Sequence, residues 1–137
     1  MQSTSVATAP SAGKIRWAGY VLMALAGLFL LMDGVVKLMQ AQVAVEATVA
    51  LGFSASVLPV LGVLQLACLA IYLFPRTAVL GAVLQTGYLG GAIAIHLRAD
   101  TGLFSYIFPV LIGLMIWGGI YFREPRLWPL LPLRKVG

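Results

Sequence analysis

The first long apolar stretch of the chain reads WAGYVLMALAGLFLLMDGVV and occupies residues 17–36. Asp33 is its only charged residue. A helix crosses the hydrocarbon core of a bilayer with about 20 mostly apolar residues, because each residue advances the helix by about 1.5 Å. We therefore predict that residues 17–36 form a membrane-spanning helix.

Three further stretches meet the same criterion, at about residues 57–74, 78–97 and 103–122. The connections after the second and third stretches are short, so consecutive helices should pack antiparallel. Only the connection from residue 33 to residue 56 has room for structure, and its amphipathic segment at residues 38–47 is too polar to span. We predict an all-α integral membrane protein: a four-helix antiparallel bundle with a short interfacial helix, ended by Gly52, between the first and second spans.

The composition leads to the same class of protein. Hydrophobic residues make up 61% of the 137 residues and charged residues 9%, with a mean hydropathy of +1.01. Soluble domains average about 45–50% apolar and about 25% charged residues. The composition therefore excludes an ordinary soluble domain and a disordered chain.

The net charge of +5 does not predict a nucleic-acid partner, because the nine lysines and arginines are scattered as short flanks between apolar stretches. The one cysteine, Cys68, excludes an internal disulfide and an iron–sulfur site within one chain. The one histidine, His96, excludes a bis-histidine haem or a three-histidine zinc site. We predict no metal site.

The positive flanks of the spans indicate the orientation in the membrane. If the chain alternates, Lys37 and Arg98 lie on one side, and seven cations lie on the other: Lys14, Arg16, Arg76, Arg123, Arg126, Arg134 and Lys135. Positive residues concentrate on the cytoplasmic side. We therefore predict a multi-pass protein of the inner, cytoplasmic membrane with both termini in the cytoplasm.

Three regions follow from this topology: a disordered cytoplasmic tail at residues 1–13, a membrane domain at 14–127 and a basic cytoplasmic tail at 128–137. A cleavable signal peptide over residues 14–32 is the competing interpretation. Its apolar run is long for a signal peptide and lacks a clear cleavage site before Asp33.

Polar side chains at the outer ends of the spans are candidate site residues, because polar groups within a membrane are costly. Asp33 and Lys37 lie four residues apart on one helical face and can pair. Their alternative role is an interfacial ion pair that only fixes the depth of the helix. His96 and Arg98 end the third span on the same side, where His96 could relay protons, bind a quinone-like ring or simply bond a backbone carbonyl.

Two glutamines lie deeper in the spans. Gln65 is near the middle of the second span, and Gln85 is about three turns before His96 on the third. Bonds between helices are one role for such amides. We also hypothesise a polar pocket open to the outer face and floored by these two residues. Its candidate ligand-binding residues are Asp33, Lys37, Gln65, Gln85, His96 and Arg98.

Gly87 and Gly91 form a pair of small residues that predicts close helix packing. The spacing from Gly91 to His96 places the glycines roughly opposite the stripe that holds Gln85 and His96. The pattern leaves open whether they pack within one chain or in a homo-oligomer.

Several segments resemble the DoxX-like family of membrane proteins. The third span reads GYLGGAIAIHLR at 87–98, and the C-terminal part reads REPRL at 123–127 and LLPLR at 130–134. GVVKL at 34–38 and LGVLQL at 61–66 are also similar. The resemblance covers about residues 15–134 and implies a four-helix bundle in the cytoplasmic membrane. Many members carry Glu where this chain has Gln65, so the resemblance does not extend a proton-handling role to this position.

The residues predict no self-contained enzyme and no catalytic residue, because no nucleophile–base pair, phosphate loop or nucleotide fingerprint is present. The family takes its name from small subunits associated with quinone-linked sulfur oxidation. The resemblance thus implies an accessory or membrane-anchor subunit. It predicts no cofactor but is compatible with a quinone. The expected partners are membrane lipid, a membrane or redox protein, or a second copy. The alternatives are a small transporter or lipophile-binding protein, and a structural or chaperone-like membrane partner.

Overall fold

The computed structural model describes residues 12–134. The predictions for residues 1–11 and 135–137 lie outside this part of the chain. Within it, every regular element is helical. The five α-helices are α1 (Ala12–Leu38), α2 (Gln42–Ala50), α3 (Leu58–Leu73), α4 (Ala78–Ala99) and α5 (Leu103–Tyr121).

Among the described residues, four helical segments are long and apolar enough to cross a membrane: Gly13–Leu38, Ala55–Leu73, Pro75–Ala99 and Leu103–Tyr121. Between 22% and 33% of the apolar window of each is buried inside the protein, so most of the apolar surface faces outward. This distribution suits lipid as the solvent, since lipid chains are as apolar as the side chains they contact. The predicted four-span fold is confirmed, although α1 begins at Ala12, inside the segment predicted to be a tail.

The four long helices form a closed ring. Helix α1 packs against α3 and α5, and α4 packs against the same two helices. A single turn of 3-10 helix at Pro75–Thr77 joins α3 to α4, and a connection this short makes them antiparallel neighbours. We call the end where α1 begins and α5 ends the termini end, and the opposite end the α2 end.

Glycines allow the helices to approach closely at the termini end. A Cβ on Gly81 of α4 would overlap the backbone of Tyr72 on α3. A Cβ on Gly19 of α1 would lie 2.8 Å from the carbonyl oxygen of Gly119 on α5. The hydroxyl of Tyr72 also donates to the carbonyl oxygen of Ile116 at 2.8 Å. This end of the bundle is therefore tightly closed.

Helix α2 is the short helix predicted between the first two spans. Gln40, at φ 53°, separates it from α1, and Gly52, at φ 92°, follows its last turn. Both values lie in the left-handed region, which glycine adopts without strain. Helix α2 packs against α1 and α3 and thereby covers the α2 end of the bundle.

Candidate functional site

A cavity of about 570 Å³ lies at the α2 end, between α1, α3 and α4 and beneath α2. We call it the α2 cavity. Its wall is mostly apolar, with side chains such as Val36, Leu61 and Ile95. Five residues of the wall carry polar side chains: Asp33, Lys37, Thr48, Tyr88 and His96.

Lys37 is the centre of the polar part of the cavity. Its Nζ donates to Asp33 Oδ2 at 2.5 Å, to Gln65 Oε1 at 2.8 Å and to the Tyr88 hydroxyl at 3.1 Å. An ammonium group has three protons, so these contacts use all of them. The side chain of Lys37 is 20% exposed, and the predicted i,i+4 pair with Asp33 is present. The pair points into the bundle and joins α1, α3 and α4.

The local sequence explains why these residues occupy the end of α1. Lys37 lies in the last turn of the helix, where the negative end of the helix dipole favours a cation. The same dipole disfavours the Asp33 carboxylate, which the Lys37 ammonium neutralises. The two charges therefore depend on each other.

Gln65 is completely buried behind Lys37 and is not part of the cavity wall. Its Nε2 donates to the carbonyl oxygen of Leu30 at 2.8 Å, and its Oε1 accepts from Lys37. The structure therefore places Gln65 behind Lys37 and not at the floor of the cavity, and its part in binding a ligand stays a prediction. The predicted bond between helices is present, and its partners are Leu30 and Lys37 of α1.

Gln85 is also completely buried and outside the cavity wall. Neither its Nε2 nor its Oε1 has a hydrogen-bond partner among the described residues. The structure therefore does not bring Gln85 to the floor of the cavity either, and its part in binding a ligand stays a prediction. Gln85 lies on α4 deeper in the bundle than Tyr88, within the apolar core that includes Ala82 and Leu89.

His96 and Arg98 differ in position although they are two residues apart. His96 lines the cavity, and its Nδ1 is 2.8 Å from the Thr101 hydroxyl oxygen. Arg98 is exposed and outside the cavity wall. The structure brings Asp33, Lys37 and His96 to one cavity and leaves Arg98 out, because a step of two residues rotates a side chain by about 200° around the helix.

Gly87 and Gly91 do not pack against another helix in the described part of the chain. Both line the α2 cavity, and a Cβ on either would have no neighbour within 4 Å. They lie on a different face of α4 from His96, as their spacing predicts, and yet both faces line the cavity. The cavity follows α4 around about half of its circumference, so residues on nearly opposite faces both reach it. Packing between two copies stays a prediction.

Sequence reasoning missed two parts of the site. The first is Tyr88, which is not among the predicted site residues, yet its hydroxyl accepts from Lys37 and it lines the cavity. The signal was a phenol one turn from Gln85 within a span. The second part is the inner face of α2, which supplies Val43, Ala44, Ala47 and Thr48.

Three polar atoms of the cavity remain available to a ligand. The Tyr88 hydroxyl accepts from Lys37, and its own proton has no acceptor among the described residues. Asp33 Oδ1 and His96 Nε2 are likewise outside the hydrogen bonds formed in this part of the protein. The arrangement can hold a carbonyl or hydroxyl group by hydrogen bonds. No group of metal-ligating side chains occurs within residues 12–134.

Residues 21–119 match the family model described as the DoxX-like family. This match covers most of the chain. The chain belongs to the DoxX-like family. No curated protein and no solved structure matches the DoxX-like chain. The resemblance in the third span and in GVVKL thus falls within the matched region, and the same segments supply Lys37, Tyr88 and His96 of the α2 cavity.

Proposed function

We propose that this DoxX-like protein is an accessory membrane protein that binds a lipophilic molecule with a carbonyl- or hydroxyl-bearing ring, of the quinone class, in the α2 cavity. The observation that carries the proposal is a mostly apolar cavity with a neutralised ion pair and a free tyrosine proton at its wall. Small-molecule sites have this character: an apolar lining with a few placed polar groups, and a volume of about 300–1,000 Å³.

The polar groups fit such a ring. Tyr88 would donate to a ring carbonyl, and His96 Nε2 could donate or accept according to its tautomer. Asp33 Oδ1 would accept a hydrogen bond from a ring hydroxyl. Lys37 holds Asp33 and Tyr88 in place and has no further proton to offer. A bound quinone would supply two-electron redox chemistry, which an accessory subunit would share with a redox partner.

The closed termini end supports binding over passage through the bundle. The cavity wall comes only from the α2 end. At the other end, a Cβ added to Gly81 would overlap the Tyr72 backbone, and one added to Gly119 would lie 2.8 Å from the Tyr72 hydroxyl oxygen. A transporter would need this end to open. Transport of a benzoquinone with a ten-carbon tail into protein-containing vesicles would therefore favour the alternative, a small transporter.

The binding test compares a tyrosine at the cavity wall with a tyrosine outside it. Tyr88→Phe removes the free cavity hydroxyl, whereas Tyr106→Phe removes a hydroxyl that donates to Asp100 at 3.2 Å outside the cavity wall. The full chain in lipid nanodiscs is titrated with a benzoquinone that carries a ten-carbon tail, and empty nanodiscs correct for partition. We expect Tyr88→Phe to weaken binding about five-fold, the value of one hydrogen bond, and Tyr106→Phe to leave it unchanged. Equal affinities of all three proteins, or no binding above partition, would refute the proposal.

We also propose that the α2 end faces outward from the inner membrane, with both termini in the cytoplasm. The asymmetry of the positive flanks supports this orientation. A Cys68→Ala background removes the buried native thiol. Ser54→Cys at the α2 end and Arg126→Cys at the termini end are exposed positions. A membrane-impermeant maleimide should label Ser54→Cys in intact cells and Arg126→Cys only after lysis. The reverse pattern would contradict the orientation.

A further inference from the structure

We infer that the α2 cavity opens sideways to the lipid through a gap between α2 and α4, and that its ligand is an amphiphile with a single apolar tail that lies in this gap. The inference rests on the proposed function and names the part of the ligand outside the ring. We call the gap the lateral portal, with Gly87 and Gly91 on its α4 side and Val43 and Ala47 on its α2 side.

The packing of α2 produces the portal. Helix α2 packs against α1 and α3 but has no comparable contact with α4. The cavity beneath it therefore has a wall of three helices on one side and an edge between α2 and α4 on the other. Gly87 and Gly91 are exposed on this edge. A Cβ added to either glycine would have no described neighbour within 4 Å.

The α4 surface continues from the portal toward the termini end as an apolar stripe. Leu80, Leu84, Gly87 and Gly91 follow one another at intervals of four, three and four residues, which keeps them on one face of the helix. Leu80 is 54% exposed and Leu84 is 38% exposed. A chain that leaves the portal would lie on this stripe, parallel to the surrounding lipid chains.

The distribution of polarity fixes the orientation of the ligand. Asp33, Lys37 and Tyr88 form their hydrogen bonds inside the cavity, whereas Gly87, Gly91, Val43 and Ala47 at the portal offer no side-chain polar group. A polar ring is thus stabilised inside and an apolar tail outside. A membrane-borne molecule of this form can enter without passing through water, since its tail stays in the hydrocarbon throughout.

The test places a side chain in the portal and a matched one beside it. Gly91→Leu adds an isobutyl group at the portal, and Gly90→Leu adds the same group at an exposed glycine outside the cavity wall, also with no neighbour within 4 Å. Both variants should fold, which circular dichroism in detergent checks; Gly87→Leu provides a second portal variant. Each protein in nanodiscs is titrated with the ten-carbon-tailed benzoquinone and with the same ring without a tail.

We expect Gly91→Leu to weaken binding of the tailed probe about ten-fold, with little effect on the tailless ring, and Gly90→Leu to change neither. If Tyr88→Phe weakens both probes while Gly91→Leu and Gly87→Leu change neither, the proposed function stands and the portal is wrong. If none of these variants changes binding, both are wrong. If Gly91→Leu instead converts a dimer into a monomer by native mass spectrometry and leaves tailed-probe binding intact, the glycines form a subunit interface and the portal is refuted.

Discussion

Gln65 and Gln85 are the same residue type with the same complete burial, yet we expect one substitution to change the stability of the protein in opposite directions at the two positions. The substitution is Gln→Met, which keeps the length and unbranched shape of the side chain and removes its hydrogen bonding. Gln65→Met should destabilise the bundle, and Gln85→Met should stabilise it.

The expected loss at Gln65 follows from its two bonds. Its Oε1 accepts from the Lys37 ammonium at 2.8 Å, and its Nε2 donates to the Leu30 carbonyl at 2.8 Å. Side-chain bonds between membrane helices contribute about 0.6 kcal/mol on average and up to about 1.7 kcal/mol. One of the two bonds here is to a charge, and its loss also leaves a proton of Lys37 unpaired. We therefore expect Gln65→Met to lower the free energy of unfolding by about 1–3 kcal/mol.

The expected gain at Gln85 has the opposite origin. Neither amide atom has a partner among the described residues, and a buried polar group without a partner costs about 1–3 kcal/mol. A thioether of similar shape removes this cost, so Gln85→Met should raise the free energy of unfolding by about 1–2 kcal/mol. The assay is a titration of both variants with sodium dodecyl sulfate in dodecyl maltoside micelles, followed by circular dichroism.

Destabilisation by both variants would refute this reasoning. Such a result would mean that the Gln85 amide has a partner in the folded protein, and that its burial in the core does not weaken the bundle. A double variant provides a control. Since Gln65 bonds α1 and Gln85 bonds no described residue, the two effects should add to within about 0.5 kcal/mol.

Five further single substitutions, in three predictions, test the packing and the ion pair. Gly81→Ala should destabilise the protein by about 1–3 kcal/mol, because its Cβ would overlap the Tyr72 backbone. Gly90→Ala, with no described neighbour within 4 Å of its Cβ, should stabilise the protein by about 0.5–1 kcal/mol. Thermal melts in detergent compare the two variants, and equal melting temperatures would contradict the packing. Tyr72→Phe removes the 2.8 Å bond to α5 and should cost about 0.5–1.5 kcal/mol in the same melts; an unchanged melt would show that the bond adds no stability. Asp33→Asn and Lys37→Met should each lower the free energy of unfolding, because either change leaves one charge without its partner. The double variant should lose less free energy than the sum of the two single losses. Strict additivity in the same melts would argue against the pair.

The spans could be predicted from the sequence because their signal is local. The length of an apolar run such as residues 17–36 can be counted in the sequence, and the thickness of the bilayer sets the length that a span requires. The pair of Asp33 and Lys37 was predictable for the same reason, since four residues along a helix bring two side chains together whatever surrounds them. Helix α2 was also within reach, because Gly52 marks its end.

A bond between helices could be predicted for Gln65, but the partners of the two glutamines could not, because they depend on how each helix is rotated about its axis. Gln65 faces α1, where it meets Leu30 and Lys37, while Gln85 faces the apolar core. The hydrophobic pattern does not set this rotation, since every face of a membrane helix is apolar. Which glycines pack against another helix could not be predicted for the same reason. Gly81 packs against Tyr72, whereas Gly87 and Gly91 have no described neighbour within 4 Å of an added Cβ.

The position of Lys37 bears on how a ligand would be recognised. A charged lysine is the most conspicuous group of the cavity, but its three protons already bond Asp33, Gln65 and Tyr88. A ligand that bonded Lys37 would first have to displace one of these partners, so the exchange would stabilise the complex little. The same bonds cost Tyr88 only a lone pair and leave its proton free. Under the proposed function, recognition of a ring would therefore fall to Tyr88, and Lys37 would act as the positioning residue that fixes the phenol and balances the carboxylate of Asp33.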